Sequence, residues 1–583
     1  MTVTSALTRS GSSAAASDPS AAEGRPSYLH RGLSLLALLS LFQGTADALR
    51  SQSLGDPGLF LLLILLYGAM LLLSVLVLAV RRQRALVRVD VAILVVALLR
   101  LAELFAAGTG HHSRAYGDDE GPLITLAATS FAHGGHAYGV HWPGFAQQFH
   151  VGTTPLMNGQ FADSYGYPPL SALLTAPFVL WVPSWVPVAG IMSTGALVLT
   201  ALLMFRILPV HLRPAATLIC FGFDWFSTYA RNGYPIFLIL PFLLVVLYRW
   251  TRTGTGGVLG RSGVLSAVCL GIALCAHQLA WFMAPFLIAG ILLARRGELP
   301  WRGALLVTAR YTGLALAAFL LLNLPFAIRD GSAWLQGLFS VLTQHASPQG
   351  LGPVNISAFL TGGSGDLGMY STAALALLVG ILAGFLLFPR RLAPALAVLP
   401  WPAFYLATRS TETYFVLLVP LWLVAWATCS QADFSGLYQW RPAPLRDRRV
   451  RLALPAVLAL PALGCLLTAV LTPPPLAVHG LALAPGAQSA GLPTVERISF
   501  TLRNTSSQPV TPSFATDSAY WIDIDWRVVS GPRTLRAQQS GSYVLVRKGS
   551  ALPVSPTGRV LLQVLTDDPQ TLTNARLPVS GLR

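Results

Sequence analysis

Apolar residues in this chain come as long uncharged blocks, separated by short connections that carry arginine, glycine or proline. Leu59–Val80 and Tyr370–Leu387 are examples, each about as long as a helix must be to cross a ~30 Å hydrocarbon layer. The pattern predicts about thirteen spans, at 33–48, 58–80, 90–107, 186–206, 213–229, 234–249, 263–278, 280–294, 303–326, 370–388, 393–408, 413–429 and 452–472. Within 263–294, only His277-Gln278 offers a turn.

The connections set an orientation, because loops left in the cytoplasm collect Lys and Arg. Arg81, Arg82, Arg84 and Arg88 fall on one side, with Arg206 and Arg213, with Arg249, Arg252 and Arg261, and with Arg295, Arg296 and Arg302. Arg390-Arg391 and the run Arg441 to Arg451 join them. The alternation holds only if 168–182 does not cross. It places the N-terminus in the cytoplasm and leaves three outward parts: the loop 108–185, the loop 329–369, and everything after 472. The segment after Pro168-Pro169 is then a helix lying in the interface, with Trp181 and Trp185 at headgroup level.

Both ends differ from the middle. Residues 1–30 are rich in Ser and Ala, lack apolar periodicity and read as a disordered cytoplasmic tail rather than a signal peptide. In 473–583, the stretches Val495–Asn504, Tyr520–Val529, Ser542–Arg547 and Arg559–Leu565 are short, alternating or β-branched, with Gly, Pro, Ser and Asn between them. That pattern predicts a small antiparallel β-sandwich. The expected fold is therefore an all-α polytopic membrane region, 31–472, followed by a small extracytoplasmic β domain.

Composition agrees: of 583 residues 54% are apolar and 11% charged, against roughly 25% charged in soluble domains. The net charge of +16 does not indicate nucleic acid, since the arginines cluster between apolar blocks instead of lining one face. The preference for Arg over Lys reads as the codon bias of a GC-rich bacterial genome. All five cysteines lie in apolar blocks and read as small hydrophobes, not as a disulfide framework.

The sharpest chemical feature is Asp118-Asp119-Glu120, about ten residues past the third span. Three adjacent carboxylates repel one another, and apolar packing gives no reason for them. They read either as a solvated loop tip or as a general base, or divalent-metal ligands, for chemistry at the outer interface. His111, His112, His133, His136, His141 and His150 share that loop, so a divalent cation bound by Asp118 and Asp119 is a candidate cofactor, although no ligand spacing matches a known signature. Arg100 and Glu103 lie three apart inside a span, either as a functional pair or as neutralising partners. Outside the C-terminal β domain the external arginines are Arg50, Arg114, Arg231, Arg329 and Arg409; a guanidinium suits phosphate. His277 reads equally as a phosphate donor or a helix cap. Tyr520, Trp521 and Trp526 alternate along an expected strand, for sugar stacking or for core packing. Asn355-Ile356-Ser357 and Asn504-Thr505-Ser506 fit the glycosylation pattern, which arises often by chance.

Asp119-Glu120, followed by a helical stretch and Gly134-Gly135-His136-Ala137-Tyr138, resembles the first external loop of the GT-C superfamily of membrane glycosyltransferases. That superfamily includes protein O-mannosyltransferases, lipid A aminoarabinose transferases and bacterial polyprenol-phosphate-mannose-dependent enzymes. Tyr165-Gly166-Tyr167-Pro168-Pro169-Leu170 is similar to the start of the second juxtamembrane helix in such enzymes. Tyr229-Ala230-Arg231-Asn232-Gly233-Tyr234 looks like their short loop with a second acidic residue, here replaced by Asn232, with Asp224 earlier in the span. Arg409, Tyr414 and Pro420 are similar to an Arg/Tyr pattern that faces the lipid phosphate. The likeness covers roughly residues 90–430. It implies a polyprenyl-phosphate-linked sugar donor and a glycan, lipid or protein acceptor. It further implies a base among Asp119, Asp118 and Glu120, and donor contacts from Arg409, Arg231, Tyr414, His277, Tyr167 and Asn232.

A lipid-linked phosphosugar carries its own leaving group, so the protein must supply a base for the acceptor hydroxyl and cations for the departing phosphate. A single in-line displacement would invert the anomeric centre. The competing readings are a lipid-linked-glycan transporter or flippase, whose internal repeats and midplane polar groups are not visible, and another exported-face transferase. An acyltransferase would need a membrane-embedded catalytic His, for which His277 is the sole and poor candidate.

Overall fold

A computed structural model of the protein describes residues 24–51, 56–109, 116–440, 442–486, 492–518, 521–549, 551–554 and 560–578. Most of the expected tail, His111, His112, Arg114 and Tyr520 lie outside the described residues. The chain is mostly helical, with β-strands concentrated near its C-terminus. It divides into two compact units: residues 1–107 with 204–224, and residues 108–203 with 225–583.

Among the described residues seven helices are long and apolar enough to cross a membrane: Tyr28–Arg50, Pro57–Ala79, Val188–Ile207, Leu279–Glu298, Trp301–Arg329, Met369–Leu387 and Arg448–Leu471. An eighth crossing is obtained if Asp224–Arg231 and Ile236–Leu247, bent by 116° at their junction, act as one. This differs from thirteen separate spans, and proline and glycine account for much of the difference. The expected span 393–408 is a series of short turns that includes Ala393–Ala395 and Trp401–Phe404, with Pro394, Pro400 and Pro402 removing backbone donors. The expected span 213–229 stops at Phe221 and restarts at Asp224, across Gly222. The segment 168–182 holds the ten-residue helix Leu170–Val179, too short to cross. The loop 329–369 contains a helix, Gly331–Thr343, started by Asp330 accepting from the Ala333 N–H at 3.0 Å.

In the first unit, Tyr28–Ser51 packs against Pro57–Ala79 and Pro214–Phe221. Asp56 caps Pro57–Ala79 through the Gly58 N–H, and the Arg31 guanidinium takes the carbonyls of Val77, Leu78 and Val80 at its other end. These are the terminal groups a helix leaves unpaired. Arg100 pairs with Glu103 on Gln83–Thr109, the neutralising arrangement. Asp224 lies against Gly44.

In the second unit the C-terminal strands make two five-stranded sheets whose neighbours are all antiparallel. One centres on Thr494–Asn504, the other on Val560–Thr566. Ile498, Leu502, Phe514, Tyr543, Leu562 and Val564 share one apolar core between them. Two features were not anticipated. Gly363–Ser364, from the 329–369 loop, supplies an edge strand paired to Thr571–Arg576. The expected strand Tyr520–Val529 is two strands, Trp521–Asp523 and Trp526–Ser530, in different sheets. Trp526 is buried, with its indole N–H donating to Thr516 Oγ1 at 2.9 Å; it packs the core. Asn504 is fully buried and bonded to three carbonyls, which closes it to a glycosylating enzyme.

Candidate active site

Three glycines let two loops meet. A Cβ at Gly121 would lie 2.3 Å from the Asn232 carbonyl oxygen, and one at Gly117 would lie 2.6 Å from Asn232 Nδ2. Gly233, at φ +87°, would place a Cβ 2.9 Å from Gly121 Cα, and that φ itself favours glycine. The segment 116–121 therefore seats directly on 229–234, and Asn232 acts as the floor beneath Gly117.

Each carboxylate has its own donor. Tyr234 OH donates to Asp118 Oδ2 at 2.6 Å, the Thr154 N–H to Asp119 Oδ2 at 2.7 Å, and Tyr167 OH to Glu120 Oε1 at 3.1 Å. Asp119 is buried. Glu120 Oε2 is also buried, and no partner reaches it among the described residues. A solvated loop tip does not have these properties. Burial pushes the Asp119 carboxyl above its ordinary value, with the Asp118 charge adding to the rise and Thr154 and Arg409 opposing it. Glu120 is raised well above its ordinary value, first by burial and then by Asp119 and Asp118. Burial and the same negative neighbours keep the Tyr167 phenol protonated, so it is a donor.

A fourth carboxylate joins from far along the chain. Glu412 Oε1 accepts from Tyr229 OH at 2.5 Å, and the Tyr229 ring sits 4.8 Å from that of Tyr234. Glu412 is absent from the sequence-based site, although it shares with Arg409 the short connection between the apolar blocks 393–408 and 413–429.

Arg409 is the cation whose field reaches Asp119 and Glu120. It is set by a short parallel pairing of Arg409–Ser410 with Gln349–Gly350. Its Nε is buried and has no hydrogen-bond partner among the described residues. Arg409, Tyr414, His277 and Gln278 line one part of a cavity of about 400 Å³, and Leu279, Phe282, Leu375 and Leu378 another. Gln278 Nε2 ties two walls together by donating to the carbonyls of Gly166 and Leu338. His277 takes one of its two expected roles, that of a helix cap. Its Nδ1 accepts the Leu279 N–H at 3.1 Å and caps the following helix, which leaves Nε2 as the protonated nitrogen of the neutral ring. Its ring packs on Tyr167 at 5.3 Å.

The structure thus brings together Asp118, Asp119, Glu120, Tyr167, Asn232, His277, Arg409 and Tyr414. Arg231 ends the helix Asp224–Arg231, with its carbonyl against Gly190, and is not among the cavity-lining residues. Among the described residues no three His, Cys, Asp or Glu side chains group to hold a metal ion. The carboxylates turn to separate donors, and His141 pairs with Asp163 at 2.7 Å, so the donor set does not fit the divalent site considered from sequence.

These features define a multi-helix protein of membrane-spanning composition with a buried acidic site beside a part-apolar cavity. Compared with known proteins, no family model matches the chain and no curated protein does. Two solved structures are similar to it. The structure of ArnT from Cupriavidus metallidurans bound to undecaprenyl phosphate has 13% identity and a TM-score of 0.35, over 66% of this chain and 75% of that one. The apo state of the same protein has 12% identity and a TM-score of 0.33, over 64% and 75%. At these values the likeness assigns neither activity nor ligand to this chain.

Proposed function

We propose that the protein is a membrane glycosyltransferase that moves a sugar from a polyprenyl phosphate to the hydroxyl of a glycan, lipid or protein on the outer face of a bacterial inner membrane. One observation carries this reading: buried carboxyls under the field of Arg409, which also lines a cavity that has Leu279, Phe282, Leu375 and Leu378 in its wall together with polar residues. Such a cavity suits a ligand with a charged head and a hydrocarbon tail. A carboxyl raised above its ordinary value suits a base working near neutral pH.

In this mechanism Asp119, with Asp118 beside it, takes the proton of the acceptor hydroxyl. The acceptor oxygen bonds to the anomeric carbon as the bond from that carbon to the phosphate oxygen breaks. The polyprenyl phosphate departs with the electron pair, held by Arg409 with donation from Tyr414 and His277 Nε2. Glu120, raised well above its ordinary value by burial and by Asp119 and Asp118, positions Tyr167 by accepting from its hydroxyl. The region after 472 faces the same side as the site, as the arginine distribution requires.

Membranes carrying the protein, incubated with a labelled polyprenyl-phosphate sugar, should release label to an acceptor. The Asp118→Asn, Asp119→Asn pair should lower that transfer by on the order of 10²–10⁴ while the protein remains folded in the membrane; unchanged transfer ends the proposal. Retention at the anomeric centre of the product would exclude the single displacement.

A further inference from the structure

We infer that the chain holds an anionic phospholipid in a second cavity, at the end of Met369–Leu387 opposite to the one near Arg409. The helix has 19 residues and is about 28 Å long, one membrane thickness. Its first turns, through Ser371, Ala374 and Leu378, line the cavity that Arg409 shares. From Leu377 onward it lines a separate cavity of about 520 Å³ against Arg448–Leu471, within the range that small-molecule sites occupy.

The wall of this second cavity is apolar along its length, through Leu377, Ile381, Pro455 and Leu458, and carries two guanidiniums, Arg391 and Arg451. Gly380 brings the helices together, since a Cβ there would sit 2.5 Å from the Leu458 carbonyl oxygen. Gly384, one turn on, lines the cavity and is less crowded: its Cβ would make ordinary contact with Leu458 Cδ1, at 3.8 Å, and with nothing else. That opening is the slot for an acyl chain. Arg391 and Arg451 are exposed and make no ion pair among the described residues, and no carboxylate lines the cavity. Two unneutralised cations over a hydrocarbon slot complement a phosphodiester with one net negative charge. A zwitterionic headgroup would bring its ammonium against them. Arg is also the side chain suited to forked contacts with phosphate. The inference needs only that the helix spans a bilayer and is independent of the proposed transfer reaction.

The test uses the purified full chain in detergent, offered phosphatidylglycerol and phosphatidylcholine of the same chain length in equal amounts, with retained lipid read by native mass spectrometry. The wild type should retain phosphatidylglycerol over phosphatidylcholine by roughly 10- to 30-fold, from about 1 kcal/mol for each arginine. Arg391→Gln with Arg451→Gln should bring the ratio close to one. Gly384→Leu, which fills the slot and suits a helix better than glycine, should lose both lipids in a protein that stays monodisperse. Equal retention by the wild type, an unchanged ratio in the arginine variant, or full retention by Gly384→Leu would overturn the inference. Displacement of phosphatidylglycerol by inorganic phosphate alone would also overturn it, since the headgroup would then account for binding without the slot.

Discussion

Two buried polar clusters, one in each compact unit, follow opposite rules. In the first unit, His30, Ser34 and Asp90 are sealed from solvent and every carboxylate oxygen is answered: Asp90 Oδ2 meets His30 Nε2 at 2.6 Å and Oδ1 accepts from Ser34 Oγ at 2.6 Å. Gln83 Nε2 closes the set on His30 Nδ1 at 2.9 Å. In the second unit, the acidic cluster leaves Glu120 Oε2 and Arg409 Nε buried without partners. Leaving such a group unpaired costs about 1–3 kcal/mol, more when it is charged. The satisfied cluster clamps Tyr28–Ser51 to Gln83–Thr109, and nothing is left over to bind. Under the proposed function another molecule would complete the unsatisfied one, which is how a site differs from a clamp.

This contrast breaks if the clamp proves dispensable. Asp90→Ala strands His30 and Ser34, and should lower stability by on the order of 3 kcal/mol, read as a fall in the thermal midpoint of the detergent-solubilised protein. The rate of transfer per folded molecule should not change. The reverse holds at the site. Arg409→Gln removes the guanidinium with its buried, unpartnered Nε, and should slow transfer roughly 10- to 100-fold through loss of a charge-assisted contact, with the thermal midpoint held or raised.

The smallest effect is a pH dependence of stability. Asp119 and Glu120 have raised values when folded, so the folded state keeps their protons to higher pH than the unfolded chain does. Their contribution is greatest below the ordinary values of 3.8 and 4.5 and declines as pH rises through each raised value. Glu120→Gln keeps an oxygen for Tyr167 and removes the titrating group. It should raise the thermal midpoint near neutral pH, with the gain shrinking as pH falls toward the ordinary value of 4.5 and vanishing below it. A gain that does not depend on pH would show that Glu120 is not ionising in a buried place.

Some of this was legible from order along the chain. Asp118-Asp119-Glu120 stood out because adjacent charges have no apolar explanation, and Arg409 because external arginines outside the C-terminal β domain are few, with Tyr414 following from the resemblance. Glu412 did not stand out. Its relevance depends on Tyr229, 183 residues away, and no periodicity reports such a contact. The metal reading gains no support among the described residues for a related reason: proximity in sequence does not say where each carboxylate points, and Tyr234, Thr154 and Tyr167 each engage a different one of the three. Fewer long apolar helices are found among the described residues than the thirteen expected spans, because a hydropathy window registers the apolar content of 393–408 and 413–429 but not the backbone donors that their prolines lack.

By itself the sequence determined the class of environment, the helical blocks and the change to strands near 473, since these follow from hydrophobic length and from alternation, which are local properties. Only the tertiary structure decided which polar groups are satisfied, which helices break, and that Gly363–Ser364 leaves its loop to join a sheet. Those outcomes depend on backbone approaches of a few ångströms between distant segments, such as Gly121 on Asn232, and on burial, which sets the protonation of a carboxyl and is a property of the packed chain.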